Sequence, residues 1–395
     1  MTIEHAIFDC PHGADCGACS FLGTPYGNQL ERKRRRLIAV LGERLKIDNR
    51  QILPTLPSPR TEGYRNRAKM TISTDRDRRS ALGYFQRRSR NVVDAPHCGV
   101  LVPELLETTR RFRALLNSSV QFPFNLRHID LRCGSDPTRQ HLTLVVRSDV
   151  MPRLPIDAIA DACPEVAGMG VNLNPKGGPQ VVKGRIEPVV GDREVWVESS
   201  GLRLRVSPGS FFQVNLGLLP EIHSRMAAFF GEGELLLDLF AGVGTHGLAL
   251  RRNFSRVICV EGVRSSAADA KASVKTAGVK NVEIIGDPIH RAQRRISRER
   301  PEAVILNPSA AGADSSTLKT VIASPARSVA YLSCDPSTLA RDLAVLVEGG
   351  FTLATAQVVD MMPQTRQIET LALLRRSASM HHAMSTGLQS VNPIA

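Results

Sequence analysis

The sequence predicts an α/β protein: a doubly wound parallel sheet fills the carboxy-terminal half, behind a β-rich α+β region and a cysteine-bearing amino-terminal segment. Three observations carry this reading. From about residue 205, apolar runs of buried-strand type recur roughly every 20 to 25 residues with helix-compatible stretches between them, the rhythm of parallel strands joined by crossover helices. Between about 61 and 200 the texture is one of short strands and turns, His141–Val146 among them. Finally, 395 residues at 42 % hydrophobic are material for two to three cores.

Taken in order, residues 1–60 hold a cysteine cluster, a basic helix-like stretch from Tyr26 to Leu45, and a proline-punctuated linker from Leu53 to Pro59. Residues 61–204 form the β-rich central domain, and 205–377 the doubly wound one. Its strands are predicted at Leu235–Phe240, Val257–Glu261, Val282–Asp287, Ala303–Asn307 and Ser328–Cys334, with helices at Ser265–Ala277 and Pro336–Glu348. The polar stretch 378–395 is expected to be a flexible tail.

Lys and Arg number 51 against 38 Asp and Glu, a net charge of +13 that calls for a polyanionic partner. Three basic runs carry it: Arg32–Arg36, the group from Arg76 to Arg90 that encloses Tyr84 and Phe85, and Arg291–Arg300. Arginine beside aromatics suits unstacked RNA bases, so the second run is the binding candidate, whereas the third reads as a solvated helix face. The hydrophobic content excludes a disordered chain. No apolar stretch approaches the ~20 residues of a membrane span, and no amphipathic anchor accompanies the charge. The start lacks a secretory pattern, so the cytoplasm is the expected compartment and the eight cysteines are expected to be reduced.

The first strand of the sheet runs into Asp238-Leu239-Phe240-Ala241-Gly242-Val243-Gly244-Thr245-His246-Gly247, where glycines permit a tight strand-to-helix turn and close approach of a ligand. Glu261 ends the next strand and is placed to hold ribose hydroxyls. Both NAD and S-adenosylmethionine fit such a loop; Asn307-Pro308-Ser309-Ala310 after the fourth strand favours S-adenosylmethionine. Cys10, Cys16, Cys19 and Cys98 form a C-x5-C-x2-C set plus one, suited to an iron–sulfur cluster with zinc as rival. Cys133, Cys163 and Cys259 read as packed core residues. Cys334 closes a strand at the carboxyl edge of the sheet, where a lone cysteine is a ligand-edge thiol or a structural one, and Glu369 lies in an apolar run, as a desolvated base or as a surface residue on an edge strand.

These pieces, with Gly63-Tyr64-Arg65-Asn66-Arg67-Ala68, Leu82-Gly83-Tyr84, Phe211-Phe212-Gln213-Val214-Asn215, Ser333-Cys334-Asp335-Pro336 and Ile368-Glu369-Thr370, occur in an order that resembles the S-adenosylmethionine-dependent RNA uracil-5 methyltransferases acting on bacterial 23S rRNA and on tRNA. The resemblance covers nearly the whole chain. It implies a Rossmann-like methyltransferase domain, a 4Fe-4S cluster on Cys10, Cys16, Cys19 and Cys98, and cofactor contacts from Gln213, Phe240, Thr245, Glu261 and Asn307. It also implies a nucleophile at Cys334, a base at Glu369, an RNA partner, and neither a membrane nor an obligate protein partner. Because the chain begins almost at the cysteines, the short 23S rRNA class that lacks the TRAM β-barrel and methylates uracil 747 is expected. Two departures stand out: the family's Asp-Pro-Pro-Arg is here Asn307-Pro308-Ser309-Ala310, and Gln367 replaces a His. The alternative they raise is a catalytically weakened paralogue that binds RNA.

Overall fold

The computed structural model describes residues 5–176, 178 and 181–377; the expected tail at 378–395 lies outside the described residues. Helix α1 (Tyr26–Gly42) follows the cysteine segment. The central sheet comprises β1 (Arg67–Thr74), β2 (Ser80–Phe85), β3 (Val92–Asp94), β4 (Leu126–Cys133), β5 (Gln140–Val146), β6 (Val166–Leu173) and β7 (Ile186–Gly191), in the order β3-β2-β1-β4-β5-β6-β7. Helix α2 (Pro103–Leu116) precedes β4, and α3 (Ile156–Ala162) joins β5 to the parallel β6. Neither helix was marked by the sequence reading. In α2 the buried residues are Leu105, Thr108, Thr109 and Phe112, so two threonines dilute the apolar stripe that would have signalled a helix.

A hairpin of β8 (Val195–Ser199) and β9 (Leu202–Val206) leads to α4 (Leu219–Phe230). The second large sheet contains β10 (Gly233–Leu239), β11 (Phe254–Val260), β12 (Val282–Ile285), β13 (Ala303–Leu306), β14 (Ser328–Ser333), β15 (Phe351–Val359) and β16 (Glu369–Arg376). Their order is β12-β11-β10-β13-β14-β16-β15, with β16 antiparallel to both neighbours and β10 to β14 parallel. Helices α5 (Thr245–Ala249), α6 (Arg264–Thr276), α7 (Ile289–Ile296), α8 (Ser315–Ala323) and α9 (Pro336–Glu348) connect the strands. The order reverses between β10 and β13, and such a switch point opens a ligand crevice at the carboxyl ends of the strands. The apolar core lies on both faces of this sheet. On one face α1 contributes Leu37 and Leu41; on the other the β8–β9 hairpin contributes Val197 and Leu204.

Two readings of the amino-terminal residues need correction. The proline-punctuated stretch is no free linker: Ile52 bridges Ala356, Leu56 bridges Val359, and Leu53 N donates to Ala356 O at 2.9 Å, so it runs along the edge of β15. Prolines suit an edge position because they lack the donor an inner strand would need. Lys33, read as part of a basic surface run, is 1 % exposed and pairs with the fully buried Asp360. Tyr26 Oη donates to the other Asp360 oxygen at 2.7 Å and accepts from Ser58 N at 2.8 Å, while Lys33 Nζ also donates to Met362 O at 3.0 Å. A helical stripe holding one Lys among arginines hides this pairing, because its acidic partner lies 327 residues away.

Candidate active site

The glycine loop leaves β10 through Phe240, whose φ of 60° is unusual for a side-chain-bearing residue, and turns at Gly242 and Gly244 with φ of 58° and 83°. Gly247 is required by space: a Cβ there would stand 2.5 Å from Cys259 Sγ and 2.9 Å from Asp238 Oδ2. Glu261 pins the loop, accepting from Gly242 N at 2.8 Å and Val263 N at 2.6 Å, and burial pushes its carboxyl up. Asp238, pushed up to about 7 by burial, accepts from Gly247 N at 2.8 Å.

Asn307 follows β13 directly beside the loop: the register pairs Leu239 with Leu306, and Asn307 N donates to Leu239 O at 3.3 Å. Thr245 starts α5 and is buried. Thus Phe240, Thr245, Glu261 and Asn307 gather at the carboxyl edge on either side of the switch point. Gln213 is placed differently. It is buried where the central domain meets the β8–β9 hairpin, bordering a small cavity with Asn66, Arg67 and Arg132, and makes no side-chain hydrogen bond among the described residues.

One strand further, Cys334 and Glu369 meet. Ser333 of β14 faces Thr370 of β16, so the next antiparallel step sets Cys334 opposite Glu369. Cys334 is half-buried, and its thiol is pushed up first by burial and then by the Glu369 charge. Glu369 is buried and pushed up to about 7 by the loss of water alone. A thiol and a carboxylate side by side have the chemistry of a nucleophile that adds to a ring and a base that removes a proton from it. The sequence pattern singled out both residues, but their pairing needed the β14–β16 register.

The raised Glu369 has a measurable cost. Its unfolded carboxyl ionises near the ordinary 4.5, so the folded chain binds the extra proton between about 4.5 and 7 and stability falls as pH rises through that window. Glu369→Gln is therefore expected to be more stable than wild type at pH 8, by about 3 kcal/mol, from ~1.4 kcal/mol per pH unit across that window. At pH 4 it gains nothing; urea unfolding at the two pH values checks this.

The strand-leading turn before Glu369 is held from the amino-terminal side. Gln364, at φ 68°, exchanges two hydrogen bonds with Gln29 of 2.9 Å each, and Tyr64 Oη donates to Pro363 O at 3.0 Å. Beside this turn opens a cleft of about 760 Å³ lined by Arg65, Lys69, Arg87, Arg88, Arg366 and Gln367, with Tyr64 and Tyr84 in its wall. The second basic run thus supplies two of the five cations, Arg87 and Arg88. From the third run, Arg295 pairs with Glu283 on the outer surface, as a solvated face should.

Cys10, Cys16, Cys19 and Cys98 line one small, partly open cavity of about 20 Å³ with Phe8 and Tyr84, and Cys19 and Cys98 also reach the wall of the basic cleft. Burial, and then the three other cysteines, push the Cys19 thiol up to about 12. Among the described residues no three His, Cys, Asp or Glu side chains converge as a single metal ion would require. Cys133, Cys163 and Cys259 are buried singly elsewhere in the cores.

A glycine-loop crevice with its acidic strand end, beside a cysteine–carboxylate pair and a basic cleft, defines a nucleotide-cofactor transferase working on a polyanion. Residues 192–377 match the family model described as tRNA (uracil-5-)-methyltransferase. An RNA methyltransferase of Parasynechococcus marenigrum is 30 % identical over 388 residues, spanning 94 % of this chain and 82 % of the relative. Another, from Halalkalibacterium halodurans, is 28 % identical and spans 92 % and 82 %. The solved tRNA (uracil-54, C5)-methyltransferase of Pyrococcus abyssi, in complex with S-adenosyl-L-homocysteine, shares the fold at a TM-score of 0.72 and 24 % identity, covering 91 % of this chain and 86 % of that one. The chain belongs to the tRNA (uracil-5-)-methyltransferase family and is an S-adenosylmethionine-dependent RNA methyltransferase. S-adenosylmethionine is accordingly the cofactor of this chain. No described helix is long and apolar enough to cross a membrane.

Proposed function

We propose that this enzyme methylates carbon 5 of a uridine in 23S rRNA, the uracil 747 position of the short class, through a covalent adduct on Cys334. The observation that carries the reading is the cross-strand placement of Cys334 beside Glu369 at the ligand edge. Uracil carbon 5 is a poor nucleophile. Addition of the Cys334 sulfur to carbon 6 breaks the 5,6 double bond and moves its electron pair toward carbon 5 and the ring carbonyl. S-adenosylmethionine, when bound, would supply the electrophilic methyl group to carbon 5, its sulfur–methyl bond breaking with the electron pair kept on sulfur so that S-adenosylhomocysteine is the leaving group. Glu369, ionised, removes the proton from carbon 5; the pair left behind re-forms the double bond and expels the Cys334 thiolate.

Phe240, Thr245, Glu261 and Asn307 hold the cofactor on this reading, and Gln213 joins them from the inter-sheet segment. Residues 61–204 present the RNA, whose target base must leave its stack to reach the thiol. The cations of the 760 Å³ cleft neutralise the flanking phosphates. Residues 205–377 carry the methyl transfer, and 1–60 clamp across both; the cytoplasm is the place of action. Undermodified 23S rRNA offered with labelled S-adenosylmethionine should take up label, and tRNA should not; label in tRNA alone would redirect the target. No label in either, with RNA still bound, would favour the RNA-binding paralogue that the missing arginine side chain at Ala310 suggests.

Cys10, Cys16, Cys19 and Cys98 fit a 4Fe-4S cluster, since four soft sulfurs with no carboxylate among them line one cavity. The four thiolates of Cys10, Cys16, Cys19 and Cys98 would be the cluster's ligands. Once bound, the cluster ties residues 10–19 to Cys98 of the central domain. Cys98→Ser is expected to lose most of its iron after anaerobic purification, and Cys133→Ser to keep it. Stoichiometric zinc without iron in the wild type would overturn the assignment.

A further inference from the structure

Two buried imidazoles have no part in the chemistry above. Ser200 Oγ, in the β8–β9 turn, lies 2.6 Å from His223 Nδ1 of α4; His223 Nε2 lies 3.1 Å from His246 Nδ1 of α5; and His246 Nε2 lies 3.3 Å from Asn307 Nδ2. His223 is 5 % exposed and His246 1 %. Burial keeps both neutral at physiological pH, pushing them down to about 3 and about 4, with His246 also lowering His223. A core that needed only volume would place leucines here, because an imidazole out of water must be hydrogen-bonded at both nitrogens.

A neutral imidazole has one donor and one acceptor, so the chain runs in one of two senses, and the sense is set by which end of the Asn307 carboxamide meets His246 Nε2. With the amide nitrogen of Asn307 donating to His246 Nε2, the His246 proton sits on Nδ1 and is donated to His223 Nε2. The His223 proton then sits on Nδ1 and is donated to the half-exposed Ser200 hydroxyl, which is free to donate to water. Each link is satisfied. The amide is held by its nitrogen, and its oxygen Oδ1 makes no hydrogen bond among the described residues, at the edge beside Phe240 and Thr245.

We propose that Ser200, His223 and His246 form a buried positioning chain that locks the Asn307 carboxamide with its oxygen, rather than its NH2, offered as acceptor to an N–H group in the crevice. The inference deepens the methyltransferase reading and rests on it for the identity of the ligand. That N–H belongs either to S-adenosylmethionine or to the target base, and separate readouts tell the two apart. His246→Leu removes the hold. If the donor is the cofactor, S-adenosylmethionine affinity measured by calorimetry falls about 10-fold; if it is the base, kcat falls about 10-fold at unchanged cofactor affinity. His246→Gln offers Asn307 a side-chain oxygen and should recover the loss to within about 3-fold. Equal losses in both variants, or none in either, would overturn the proposal.

Nitrogen-15 spectra of the full-length wild type, labelled at histidine, decide independently of any variant's folding. The chain requires His246 and His223 both as the Nδ1–H tautomer, and the Nε2–H form at His246 would contradict it. This spectrum is recorded on the resting protein, so it stands or falls apart from whether RNA is methylated.

Discussion

Glu369→Gln is expected to trap a covalent protein–RNA complex that survives denaturing electrophoresis, whereas Cys334→Ala forms no complex and transfers no methyl. On the proposed mechanism the two failures differ because the residues act at different ends of the reaction. Without the thiol nothing activates carbon 5, and the rate drops below detection while S-adenosylmethionine still binds. Without an ionisable base, addition and alkylation go forward but elimination stalls, so the adduct accumulates. The double variant returns to no adduct. Wild-type methyl transfer should also rise with pH through about 7, as the buried Glu369 ionises, and continue upward because the Cys334 thiol is itself raised. Methylation at the wild-type rate by Cys334→Ala would remove the covalent step.

Lys33→Ala is expected to cost about 3 to 5 kcal/mol, because it leaves the Asp360 carboxylate buried without its cation. Asp360 stands between β15 and the turn that Gln29 and Tyr64 hold ahead of Glu369, so the loss reaches the active site as well. Lys33→Met, which removes the charge and keeps the stem, should fare little better, since the uncompensated group is the aspartate. Replacing both members with apolar residues should recover most of the stability. Urea unfolding of the four proteins measures this. A loss under 1 kcal/mol in Lys33→Ala would contradict the account of Lys33 and Asp360 as a pair whose buried members depend on each other.

The doubly wound sheet was legible because its strands are buried on both faces and read as continuous apolar runs, so Leu235–Phe240 and Ser328–Cys334 were placed to within two residues at either end. The glycine loop, Glu261 and Asn307 followed from that placement. Other features were hidden by distance or dilution. Lys33 looked like one more surface cation until Asp360 arrived from the far end of the chain. Pro54, Pro57 and Pro59 signalled a linker, although an edge strand tolerates them equally well. His223 and His246 drew no notice, since neither sits in a ligand-like spacing and only the fold sets their rings 5.2 Å apart. Gln213 is grouped with the cofactor residues by motif order alone, and its nearness to Asn66 and Arg67 of the central domain is set by the fold.

The central claim is that a methyl group replaces the hydrogen on uracil carbon 5. RNA carrying tritium at that carbon, incubated with the enzyme and S-adenosylmethionine, measures it directly. One tritium should reach the solvent for each methyl gained, and the digested RNA should contain 5-methyluridine. Methylation without tritium release, or label in any other nucleoside, would contradict the account.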